Sequence, residues 1–142
     1  MANEKTITQL SIFINNEPGR LAWAMRTIKD AGIFIKAFNL SESAEFGILR
    51  AVVDDPEAAY AKLKEEGVIV RKTEIIAVSI PEAADSFYMA AEALGKENVN
   101  IEYGYFYSGP KGSVMFFRVD DTGRAETILE AAGIRMLDDG EF

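Results

Sequence analysis

One offset governs this chain. Ile35 and Ile101 stand 66 positions apart. The same spacing pairs Ile14 with Ile80, Ala24 with Ala90, Val53 with Val119, Ala59 with Ala125, Leu63 with Leu129 and Gly67 with Gly133. It also superposes Asp54-Asp55 on Asp120-Asp121. No gap interrupts it, and the matches fall where elements start, end or enter a core. A self-similar chain of this kind is two copies of one supersecondary unit, predicted here at residues 6–72 and 74–138.

Each copy reads as βαββαβ. In the first, Leu10, Ile12 and Ile14 alternate along a strand, and Pro18-Gly19 breaks it. Leu21, Met25 and Ile28 then follow helical spacing until Gly32. Strands are predicted over Ile33–Ser41 and Gly47–Val53, with a turn over Glu42–Glu45. Asp55-Pro56 reads as an N-cap with proline in the first helical position, and Gly67 closes that helix before a strand over Val68–Lys72. The second copy repeats the scheme, with strands over Ile75–Ile80, Val99–Tyr107, Ser113–Val119 and Ile134–Leu137. Helices are expected from about Glu82 to Leu94 and after Asp121. The fold class is therefore α+β: two ferredoxin-like units in tandem, each an antiparallel sheet with helices on one face. Leu49, Ala51 and Val53, with Met115, Phe117 and Val119, would face the helices. Ile48 and Val52, with Tyr103, Tyr105, Tyr107, Val114 and Phe116, would occupy the other face, whose apolar character calls for cover by the other unit or a second chain. Asp138 to Phe142 reads as an acidic, solvated tail.

Composition narrows the chemistry. Hydrophobic residues make up 49% and charged residues 27%, enough to build a core rather than a disordered chain. There is no Cys and no His. That removes disulfides, thiol nucleophiles, cysteine-ligated metals and every triad that needs an imidazole. The net charge of −8 works against binding to phosphate backbones. No stretch approaches the length of an apolar membrane span, and the first residues lack the pattern of a cleaved leader, so a cytoplasmic protein without membrane contact is expected. No cofactor and no metal site are expected.

The most informative segment is Ile12-Phe13-Ile14-Asn15-Asn16-Glu17-Pro18-Gly19-Arg20-Leu21. A strand ends, an Asn pair turns, and an amphipathic helix starts at glycine. Free amides at a helix start attract anions, glycine admits a ligand close to the backbone, and Asn binds a carboxylate or an ammonium equally well. The same residues also suit a plain turn and helix cap.

Asn-x-Pro-Gly-x-Leu between the first strand and helix of a βαββαβ unit resembles the ACT domain. Phe46-Gly47-Ile48-Leu49-Arg50 and the tandem arrangement resemble small proteins built of two ACT domains. The resemblance covers essentially the whole chain. It implies regulatory binding of a small molecule, usually an amino acid, at interfaces between ACT units, with no catalysis by the domain. The apolar open face separately predicts a homodimer in which open sheet faces contribute, and the output is expected to pass through a partner, a regulated enzyme or transcription factor. The resemblance carries ligand contact to Asn15, Asn16, Pro18, Gly19, Arg20 and Leu21, and to the start of the second strand, which is Phe34 in the first copy and Asn100-Ile101 in the second. The second loop departs from the pattern. Ala84-Asp85-Ser86-Phe87 stands where the first copy has Pro18-Gly19-Arg20-Leu21, and Ser79-Ile80-Pro81-Glu82 fits a capping box that would start the helix a turn earlier.

Two other readings use different residues. Tyr103, Tyr105 and Tyr107 on an open sheet face, followed by Lys111-Gly112-Ser113-Val114-Met115-Phe116-Phe117, loosely resemble an RNA-recognition motif, although Ser113 replaces an aromatic and no basic stripe is visible. Asp54-Asp55 and Asp120-Asp121 could serve a small carboxylate enzyme, but their repeated place before a helix fits capping better.

Overall fold

The computed structural model describes residues 5–42 and 45–142. Residues 1–4, and Ser43 and Ala44 of the expected turn, lie outside the described residues. The elements follow the order β1 (Thr6–Asn15), α1 (Arg20–Asp30), β2 (Ile35–Glu42), β3 (Phe46–Val53), α2 (Pro56–Glu65), β4 (Ile69–Ser79), α3 (Ala83–Lys96), β5 (Ile101–Gly109), β6 (Gly112–Val119), α4 (Thr122–Ala131) and β7 (Met136–Leu137). Two compact units result. The first is Thr8–Thr73; the second is Glu74–Phe142 with the segment ending at Ile7.

In the first unit the strand order is β2-β3-β1-β4, and β3 is antiparallel to both neighbours. Leu10, Ile12, Ile14, Leu49, Ala51 and Val53 pack under Ala24 and Ile28 of α1 and Ala59 and Leu63 of α2. In the second unit β6 lies between β5 and β4, and β7 pairs with the other side of β4. Ile76, Val78, Phe117 and Val119 pack under Ala90 and Leu94 of α3 and Ala125 and Leu129 of α4. Both units are thus the ferredoxin-like βαββαβ fold, with the helix-facing strand positions where the alternation put them.

The repeat reaches the hydrogen bonds. Asp55 caps α2 by accepting from the Ala58 amide at 3.1 Å, and Asp121 caps α4 by accepting from Arg124 at 3.1 Å. The preceding Asp of each pair ties down the start of the second strand. Asp54 accepts from the Phe34 amide at 3.3 Å, and Asp120 from the Asn100 amide at 3.1 Å. The four carboxylates therefore serve the backbone, each satisfying a donor that the helix or strand end would leave open.

Three expectations change. The strands expected over Val68–Lys72 and Ile75–Ile80 are one strand, because nothing between Lys72 and Glu74 breaks an extended chain. The expected last strand, Ile134–Leu137, pairs only at Met136 and Leu137. The acidic tail is exposed at Asp138–Gly140, as expected, but it is an ordered turn rather than a loose end. Asp138 and Glu141 form a capping box around a 3-10 turn at Asp139–Glu141. Lys5 approaches Glu141 to 3.7 Å, and Arg135 approaches it to 3.2 Å. The turn brings the Phe142 ring edge-on to Phe116, with centroids 5.2 Å apart, and to Tyr107 at 6.5 Å. Phe116 is fully buried and Tyr105 nearly so.

Candidate functional site

The β1–α1 loop is a tight local structure. The Glu17 amide donates to the Asn15 carbonyl at 2.8 Å, and the Arg20 amide to the Glu17 carbonyl at 3.2 Å. Gly19 then adopts φ 89°, a left-handed conformation that costs a side-chain-bearing residue about 1–2 kcal/mol. As N-cap, Gly19 has no side chain to accept from the first turn, and α1 starts without a side-chain cap. The Asp caps of α2 and α4 show what is missing here. The positive end of α1 is left for something else to satisfy.

Beside it lies a cleft of about 340 Å³. One wall is Ile14, Asn15, Asn16, Glu17 and Leu21; the other is Leu40, Ser41 and Glu42 at the end of β2, with Gly47 at the start of β3. The walls are tied together, since the Asn16 amide reaches the Glu45 carbonyl at 3.4 Å. Arg50 donates to the Ser41 hydroxyl at 3.0 Å and fixes it. A Cβ at Gly47 would meet only ordinary contacts, the nearest 3.8 Å away, so the glycine is not demanded by backbone crowding. The volume lies in the range of small-molecule pockets. Apolar Ile14, Leu21 and Leu40 stand with two amides, a hydroxyl and two carboxylates, a lining that suits a small molecule carrying an ammonium and an apolar part.

The structure brings Asn15, Asn16 and Leu21 together in this cleft. Pro18 and Gly19 shape the turn above it. Arg20 stacks on Trp23, its guanidinium carbon 4.5 Å from the ring centre, so its charge stays at the helix start while Trp23 takes one of its faces. Phe34 is 63% exposed at the approach to β2. In the second unit Asn100 is exposed just before β5, and Ile101 packs against the hydrophobic core. Leu40, Ser41, Glu42 and Gly47 were missed as lining residues. Only the Phe46-Gly47 run pointed toward them, since the closure of a β2–β3 end over the loop depends on register rather than on any local pattern.

The corresponding loop of the second unit is built differently. α3 does begin about a turn earlier than the repeat frame requires, at Ala83 rather than at Ser86, but without the expected capping box: Ser79 ends β4, and Ser86 accepts from the Glu82 amide at 3.2 Å. A cleft of about 310 Å³ lies instead among Ser79, Pro81, Ser86, Met89 and Gly133–Arg135, a different place in the fold. Among the described residues no helix is long and apolar enough to cross a membrane.

The comparisons with known proteins agree with this architecture. The family model described as an ACT domain pair matches residues 5–141. The chain belongs to the ACT domain family and is such a pair. Protein BT0572 from Bacteroides thetaiotaomicron superposes with a TM-score of 0.87 at 29% identity, over 96% of this chain and 94% of that one. The ligand-free regulatory subunit of aspartate kinase from Thermus thermophilus superposes at 0.59 and 16% identity, over 89% and 90%. The corresponding subunit from Thermus flavus gives 0.55 and 15%, again over 89% and 90%, so these two share the fold. No curated protein matches the sequence.

Proposed function

We propose that this chain is a non-catalytic regulatory protein that binds an amino acid in the cleft of its first unit and acts on a partner as a homodimer. The observation that carries the reading is the uncapped start of α1 at Gly19, open beside a cleft of suitable size. The ligand's carboxylate takes the place of the missing cap at the helix amides. Its ammonium is met by Asn15 or Asn16 and by Glu17 and Glu42, and its side chain rests on Leu21 and Leu40. Membership of the ACT domain pair family supports the reading. So does the loop of the second unit, where Glu82 and Asp85 place negative charge at the helix start. Asp54, Asp55, Asp120 and Asp121 are engaged by the backbone, which disfavours a carboxylate enzyme built on them, and the output passes to a partner, an enzyme or a transcription factor. RNA binding is disfavoured by the burial of Tyr105 and Phe116, which takes these two rings out of the reach of bases.

A thermal-shift screen of the twenty amino acids tests the reading. A true ligand at a hundred times its dissociation constant adds about 2.7 kcal/mol, a rise of roughly 5–15 °C for a chain of this size. The expected result is a rise with one amino acid or one chemical group of them. No shift with any of the twenty at millimolar concentration would overturn it.

A further inference from the structure

The acidic residues of the first unit divide into two sets. Asp30, Glu57, Glu65 and Glu66 lie 3.0–3.8 Å from lysines, and Asp54 and Asp55 accept from backbone amides. Glu17, Glu42 and Glu45 are the others, and among the described residues their carboxylates have no ion-pair or hydrogen-bond partner. These three gather at one place. Glu17 and Glu42 line opposite walls of the cleft beside α1, and the Glu45 carbonyl takes the Asn16 amide at 3.4 Å.

No basic side chain lines that cleft. Arg20 is turned onto Trp23, and Arg50 donates to the Ser41 hydroxyl without itself reaching the lining. Two carboxylates across a space without a counter-charge repel, and a cation between them relieves both. An amino acid with an uncharged side chain brings one carboxylate and one ammonium. The carboxylate goes to the open amides of α1, so the ammonium offsets only one of the two acids. The other calls for a second positive charge. A bound metal ion does not supply it, since among the described residues no group of three acidic side chains could hold one.

We propose, resting on the amino-acid reading of this cleft, that its ligand has a cationic side chain, as in lysine, ornithine or arginine, and that Glu42 selects it. Asn15, Asn16, Glu17 and Gly19 belong to one loop, so the ligand's carboxylate and α-ammonium are both held on that wall. The side chain then crosses over Leu21 and Leu40 toward Glu42, the last residue of β2. A lysine or arginine stem suits this path, because its methylenes lie along apolar surface while the charged end stays polar. An uncharged side chain of the same length would rest on the same leucines but set apolar atoms against the Glu42 carboxylate. An acidic one would be repelled by it.

Titration calorimetry of the full chain at low salt is the test, with lysine, ornithine, arginine, norleucine, glutamate and cadaverine as probes and circular dichroism to confirm folding of the variant. At least one of the three cationic amino acids should bind about tenfold tighter than norleucine, the worth of one charged hydrogen bond, and glutamate should bind weakest. Added salt should narrow the gap to norleucine, because only the second charge distinguishes the two. Cadaverine keeps both ammonium groups but lacks the carboxylate that α1 takes, so it should bind more weakly than lysine. Glu42→Gln should bring the ratio of cationic amino acid to norleucine close to one. Norleucine binding as tightly as all three cationic amino acids, cadaverine binding as tightly as lysine, or an unchanged ratio in Glu42→Gln would overturn the proposal. The first of these would leave the amino-acid site standing, whereas no binding by any of the twenty amino acids would remove the site itself, so the two failures are told apart.

Discussion

The cross-strand pair Phe38–Ala51 in the first unit and its repeat, Gly104–Phe117 in the second, hold the same place in the same fold with the large and small residues exchanged. With the ring on the central strand, Phe117 is fully buried against Phe87, and the edge strand carries only a glycine. A Cβ on Gly104 would come within 2.8 Å of the Phe116 carbonyl oxygen. With the ring on the edge strand, Phe38 is mostly exposed and Ala51 is buried. The opposite sheet face shows the complementary contrast. Gln9 and Ser11 in the first unit are hydrogen-bonded to each other, and Ser11 lies 3.3 Å from Thr73. Their repeats in the second unit are Ile75 and Ala77, both fully buried. One topology therefore tolerates two distributions of apolar surface. At this pair the second unit turns its ring inward, and the first carries it at its edge.

The comparison breaks most clearly at the aromatic pair. Phe117→Ala removes a buried ring and should cost about 3–5 kcal/mol, whereas Phe38→Ala in the monomer should cost less than about 1 kcal/mol. Urea denaturation monitored by circular dichroism reads both, and equal losses would show that edge and centre are not energetically distinct. The Asp caps supply the counter-test, because here the units should behave alike. Asp55→Ala and Asp121→Ala should each lose about 1 kcal/mol. A difference of twofold or more between them would mean that the repeat does not extend to local energetics.

The smallest effect concerns the turn at 138–142, which the first unit does not have. The Asp138 amide donating to Glu141 holds that carboxyl below its usual value of 4.5, with Lys5 and Arg135 adding to the shift and partial desolvation opposing it. A depressed folded-state value means that the contribution is complete above the usual value and is lost as pH falls through the depressed one. The NMR contact between the Phe142 and Phe116 rings should therefore be constant at neutral pH and fade in acid, and Glu141→Gln should weaken it at neutral pH. A contact that ignores both changes would assign the docking to the rings alone.

Much of this was legible in the residues. The 66-residue repeat, the Asp caps, the helix-closing glycines and the two strand faces all rest on local chemistry or strict periodicity, which a sequence displays directly. Even the exchange of Gly32 for Asn98, at φ 74° and 65° respectively, keeps a residue tolerant of left-handed backbone at the end of the first helix of each unit. What was not legible depends on register and return of the chain. Ser41 and Glu42 become cleft residues only because β2 and β3 end beside the β1–α1 loop. Phe142 meets Phe116 only because a 3-10 turn carries it back. The join of two expected strands into β4 was hidden by the repeat itself, which suggested a boundary where the backbone simply continues.

The central claim is that two copies of one fold carry one ligand site. Titration calorimetry with the amino acid found by the thermal screen addresses it directly. The account predicts one ligand per chain for the wild type. It predicts no measurable binding for Gly19→Asp, which forces a side chain into φ 89° and sets a carboxylate at the helix start, and unchanged affinity for Asp85→Gly. Two equal sites per chain, or full affinity in Gly19→Asp, would contradict it.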